Sequence, residues 1–169
     1  VVRNAVPEQR ARASALLSRI DFGFYYNPDA RGAGLPGLIR GGFWDTAPLP
    51  SETGCTVVDN YRDRGPDVWY TCNHYDITVT EPRIASYLGI AFGQIPPEHY
   101  FATHRTFPAS CDWSWLEQQP VGFNATHLGV PVFEGSYEYR GIRFVPSWGG
   151  DMFEALMPDL FVPEDRWGP

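Results

Sequence analysis

Lysine is missing from all 169 residues, so the thirteen basic side chains are all arginine. That absence excludes Schiff-base chemistry, pyridoxal phosphate attachment and a phosphate-loop lysine, each of which needs an ε-amino group. No apolar run approaches the roughly 20 residues that cross a bilayer, and no membrane span is expected. The chain has no G-x-S-x-G elbow, no C-x-x-C and no H-E-x-x-H, so it lacks the local signatures of serine hydrolases and zinc sites. His99 and His104 are five apart, which on a helix sets them about 140° out of phase instead of on one metal-binding face. Neither a metal nor a cofactor is therefore expected. Blocks of like charge are also lacking, and the net charge of −7 disfavours nucleic acid or an anionic membrane as partner. A neutral or cationic ligand fits better.

Cysteine is scarce, with three in the chain. Cys55 and Cys72 flank the turn signal Arg64-Gly65-Pro66, so a hairpin can join them as a disulfide and leave Cys111 as the odd thiol. Three reduced, buried cysteines are the alternative.

What the chain does have is apolar and aromatic content. At 43% hydrophobic and 15% aromatic it can pack a core, and its length suits one domain spanning 1–169. It begins with Val1 and ends with Trp167-Gly168-Pro169, as expected of a processed or excised piece of a larger parent.

Pro7 opens a helical stretch in which Ala13, Leu16, Leu17 and Ile20 share one stripe, which should pack on something larger. Phe22 to Asn27 reads as a short strand, and Gly32 to Pro50 as loop with a small strand. Within that loop Gly32, Gly34 and Gly37 match G-x-G-x-x-G. The match is rejected because no strand-to-helix junction surrounds it. Thr56 to Asn60 and Val68 to Cys72 should pair around a turn at Arg62 to Pro66. Thr80 reads as an N-cap, Glu81 and Pro82 as a first turn, and Ile84 to Phe92 as the best helix, which Gly93 ends. Pro96 and Pro97 start another helix. Tyr137 to Val145 alternates around Arg140-Gly141 as a second hairpin. Hairpins are expected in those two places only.

One stretch joins a glycine-rich turn to a short acidic helix: Pro146 to Pro158. Ser147 or Asp151 can cap that helix, Met152, Phe153, Leu156 and Met157 give it an apolar face, and Pro158 ends it. Glu154 is then either a carboxylate facing a cleft or an ordinary solvated helix residue. Cleavage of a glycosidic bond needs two acidic groups across it, and Glu81 shares with Glu154 a place in the first turn of a predicted helix. Asp76, Asp45 and Asp151 are in reserve. Six tryptophans, nine tyrosines and eleven phenylalanines can stack on sugar rings, although a core alone explains most of them.

These residues carry a resemblance. HYDITVTEPRIASYLGIAFGQIPPEHYF followed by PSWGGDMFEALMP is similar to the glycoamylase-like domain family, whose relatives include endo-β-1,2-glucanases and the glucan-processing part of cyclic β-1,2-glucan synthases. DFGFYYN, Asp21 to Asn27, belongs to the same pattern. Thr80 and Pro82 replace the usual serine and alanine around the first glutamate, and Tyr100 stands where tryptophan is common. The resemblance implies a mainly α fold, part of an (α/α)6 toroid with β-hairpin insertions. Since 169 residues cannot hold twelve helices, it implies the C-terminal half or a fragment of a toroid, with the missing half as partner and residues 106–145 as an insertion lobe. It further implies Glu154 and Glu81 as the catalytic pair. His74, Tyr75, Asp76, Arg83, Trp148, Asp151, Tyr26 and Trp44 would contact a polysaccharide or oligosaccharide outside the cytoplasm. The expected function is that of a secreted or cell-envelope glycoside hydrolase or transglycosidase acting on a glucan. A carbohydrate-binding domain without chemistry is the alternative.

Overall fold

The computed structural model describes residues 6–49, 58–59, 68–107, 114, 117–147 and 149–167. The Arg62 to Pro66 turn, Cys55 of the expected disulfide, Cys111 and Trp148 lie outside them.

The chain is not a mainly α toroid. Among the described residues five short helices, the longest of 11 residues, accompany three small antiparallel sheets. The helices are α1 (Pro7–Leu17), α2 (Arg83–Ala91), α3 (His99–Ala102), α4 (Met152–Leu156) and α5 (Glu164–Trp167). A toroid needs paired helices long enough to bury a continuous apolar face, whereas α1 and α4 bury no residue. The physical reason for the miss is that the quoted blocks are local. Each describes a turn and a short helix, and neither specifies what lies between them.

β1 (Tyr26–Asn27), β2 (Leu38–Arg40) and β6 (His74–Tyr75) form one sheet in the order β1-β2-β6. The second has the order β3-β5-β4, from β3 (Phe43–Trp44), β4 (Val58–Asp59) and β5 (Trp69–Tyr70). Val58 opposes Tyr70, so the first expected hairpin pairs as anticipated. Phe22–Tyr25, expected as strand, is a 3-10 turn that leads into β1. The two sheets run into each other through a bulge. Arg40 opposes His74 while Phe43 opposes Tyr70, so residues 71–73 on one side face only 41–42 on the other. The extra residue bends the ribbon. Gly41 sits inside the bend, where a Cβ would lie 2.2 Å from the Asn73 side chain.

The core is Phe22, Tyr26, Ile39 and Ile95, with Tyr75, Ala85, Leu88 and Ile90 packed against it. Burying each large apolar side chain contributes about 1.5–3 kcal/mol. Helix α2 meets this core through Ser86 and Gly89, whose missing side chain admits Ile95 and Phe22. Leu88 and Ile90 thus find partners within the chain, whereas Leu16 is 54% exposed.

The third sheet, β7 (Val121–His127), β8 (Val130–Tyr139) and β9 (Ile142–Phe144), is a meander within the expected 106–145 insertion. Its β8–β9 hairpin turns at Arg140-Gly141, with φ of 52° and 78°. The β7–β8 hairpin, which the sequence reading missed, turns at Leu128-Gly129, with φ of 48° and 81°. Positive φ at both central residues marks type I′ turns, whose twist matches that of the flanking strands. The meander is docked by charge and aromatic contact. Buried Arg105 pairs with Glu134 at 3.4 Å, Glu134 bonds His127 at 2.8 Å, and the His127 ring stacks on Phe101 at 4.8 Å. No described helix is long and apolar enough to cross a membrane.

Candidate functional site

Residues 76–79 form the rib on which the site is built. His104 N–H donates to Asp76 O at 2.6 Å and Thr78 N–H to His104 O at 2.8 Å, tying one side of the rib to residues 103–105. On its other side Val79 forms a parallel bridge with Ser147. The two segments of the family resemblance, far apart in sequence, are therefore neighbours at this bridge.

After the rib the chain turns into α2. Thr80 does not cap the helix: its hydroxyl donates to the Glu81 carboxylate at 3.1 Å, and Pro82 occupies the cap position. Across the bridge, Asp151 does cap, its carboxylate accepting the Glu154 N–H at 2.9 Å. Glu154 reaches back to accept the Gly149 N–H at 2.7 Å, a reciprocal arrangement close to a capping box. Gly150, at φ 72°, lets the chain reverse there. One amide leaves most of the acceptor capacity of that carboxylate open. Glu81 and Glu154 are both half-buried.

Tyr75, on β6, lies in the field of both glutamates. Burial raises the pKa of its phenol, and the charges of Glu81 and Glu154 raise it further. Asp76 acts on His74 and His104 in the same way, favouring their charged forms against burial. His74 bonds Asn27 at 2.9 Å.

Arg83 has another role. All five of its N–H donors are taken: two bonds of 2.7 Å to the Glu164 carboxylate, and one each to the carbonyls of Thr80 (3.1 Å), Glu154 (2.7 Å) and Ala155 (2.6 Å). With no donor left for a sugar, this buried arginine clamps α4 and α5 to the start of α2. Tyr87 adds a 2.6 Å bond to Glu164. Burial would push the Glu164 carboxyl up, but the bonds from Arg83 and Tyr87 prevail and hold it below its usual range. Sequence reasoning missed Glu164 and Tyr87. The available signal was Pro163 followed by two acids, a helix start.

Two further candidates sit elsewhere. Tyr26 is a core residue, its hydroxyl accepting the Gly37 N–H at 2.8 Å. Half-buried Trp44 opposes Trp69 across the second sheet. Beneath the rib lies a cavity of about 20 Å³ lined by Tyr75, Thr80, Arg83, Ser86 and His99, with room for one water. There His99 Nδ1 meets the Gly37 carbonyl at 2.8 Å. A carbonyl only accepts, so Nδ1 carries the proton and Nε2 accepts from the Ser86 hydroxyl at 2.8 Å.

Burial lowers the pKa of His99, and burial with nearby arginine lowers those of His74 and His104. These histidines are thus harder to protonate folded than unfolded. Their contribution is fully present above the unfolded value of about 6.5 and is lost as pH falls below it towards the folded values. Below about 4.5 the loss of Glu164 adds to theirs. Urea unfolding at pH 8, 6.5 and 5 should give falling stability below 6.5, with a shallower fall in His99→Gln. Flat or rising stability towards pH 5 would contradict this account.

Among the described residues no three His, Cys, Asp or Glu side chains converge to hold a metal ion. Compared with protein-family models, curated proteins and solved structures, the chain matches none of them.

Proposed function

We propose that this chain is a carbohydrate-active enzyme, a glycoside hydrolase or transglycosidase working on a glucan outside the cytoplasm, with Glu154 and Glu81 as its two carboxylates. The observation that supports this most is the Val79–Ser147 bridge, which sets the segments that carry Glu81 and Glu154 side by side next to Tyr75 on β6. Glycosidic cleavage requires two acids across the bond, one to protonate the leaving oxygen and one to attack or to activate water. Tyr75 offers a ring face and a hydroxyl to a sugar placed between them. The resemblance of Asp76 to Arg83 and Ser147 to Pro158 to glycoamylase-like domains supports the same reading. A carbohydrate-binding domain without chemistry is the second reading, favoured by the Gly149–Glu154 bond, which gives that carboxylate a capping role. Incubation with a panel of β- and α-glucans and arabinans separates the two. An enzyme releases oligosaccharides, whereas a binding domain retains the polymer uncut.

A further inference from the structure

A groove of about 510 Å³ opens between the 34–37 loop, the chain from Gln94 to Glu98 and the Leu128-Gly129 turn. It is separate from the glutamate pair and does not depend on the reading above. Leu35, Pro36, Pro96, Leu128 and Val130 supply the apolar part of its walls. Its polar side chains are Tyr26, Gln94 and Glu98. Two of these are engaged within the fold. The Tyr26 hydroxyl accepts the Gly37 N–H, and the Gln94 amide accepts from Phe22 N–H at 2.6 Å and donates to Ile20 O at 3.4 Å. Glu98 differs. It is half-buried, and its carboxylate has no hydrogen bond or ion pair among the described residues.

We propose that this groove binds an organic cation, an ammonium or guanidinium group carried on a small apolar body. Glu98 lines the groove without a counter-charge among the described residues, so a cation seated there finds an open ion-pair partner. Among the described residues Glu98 is the only charged one lining the groove, so an anion meets repulsion and no compensating arginine. One carboxylate is too few ligands for a bare divalent metal. The volume lies in the range of small-molecule sites, and the net charge of −7 draws cations towards the whole surface.

The test is amide NMR of the full 169-residue chain at pH 7, titrated separately with benzylammonium, benzyl alcohol and benzoate. Benzylammonium should shift the amides of Gly34, Gly37 and Gly129 with a roughly millimolar Kd. Benzyl alcohol should bind at least about tenfold more weakly, and benzoate more weakly still. Glu98→Gln, which keeps the side-chain volume, should reduce benzylammonium to the level of the alcohol. Equal binding of the three probes to the unaltered chain would overturn the proposal without recourse to any variant. So would shifts centred on residues 76–83 and 147–154, the absence of binding, or a folded Glu98→Gln chain that binds undiminished.

Discussion

Under the proposed two-carboxylate mechanism, Glu154→Gln should abolish glucan cleavage, lowering kcat by about 10³-fold or more while the fold persists. The amide keeps the size of the side chain and its carbonyl oxygen can still accept the Gly149 N–H, so the cap survives. What disappears is a group able to ionise, and a catalytic carboxylate has no neutral substitute. Circular dichroism and a thermal melt close to the parent chain, together with lost oligosaccharide release, is the expected pair of results. Near-parental turnover would remove Glu154 from the mechanism and pass the test to Asp76 and Asp151.

The second large effect is on stability. Arg83→Met should destabilise the fold by about 3–5 kcal/mol, because it leaves three backbone carbonyls without their donor and the Glu164 carboxylate with the Tyr87 hydroxyl but no counter-charge. Arg83→Lys should rescue little, since one ammonium cannot span acceptors spread over three segments. Arg83→Met combined with Glu164→Met should recover part of the loss, as the uncompensated charge goes with its partner. Urea titration of the four chains measures this directly. A loss below about 1 kcal/mol for Arg83→Met would show that the clamp is dispensable. Because α4 buries no residue of its own, the same variant should also release Glu154 from its place beside the rib.

Some of this was legible in the sequence and some was not, for identifiable reasons. Asp151 announced its cap through its place before an apolar run, and Arg140-Gly141 announced a hairpin because an adjacent glycine with alternating flanks is a strong turn signal. Leu128-Gly129 makes the same turn but opens with a leucine at positive φ, an uncommon choice, and its strands carry Gly122, Pro131 and Gly135, which dilute the alternation. The β7–β8 half of the longest sheet was thereby missed. Thr80 misled because a hydroxyl before a proline looks like a cap, whereas its proton goes to the adjacent Glu81. Two-residue strands such as β1 and β3 are too short to carry any period. Arg83 was recognised as part of a motif, but its partner Glu164 stands 81 residues away and no local pattern links them.

The two I′ turns have a consequence for the order in which the molecule assembles. Val121 and Ser136, the outermost pair of β7 and β8, are 15 residues apart, and the β8–β9 turn spans two. Arg83 and the Glu154 carbonyl are 71 apart. Closing the larger loop costs about 1.4 kcal/mol more in chain entropy, and hairpins form within about 1–10 μs. Pulse-labelled hydrogen exchange should therefore find the β7–β8 amides protected as early in Arg83→Met, which lacks the clamp, as in the parent chain, and a delay in the variant would refute this order. On this order the meander is complete before the Arg83 clamp closes, so the two proposed acids are the last parts of the molecule to meet.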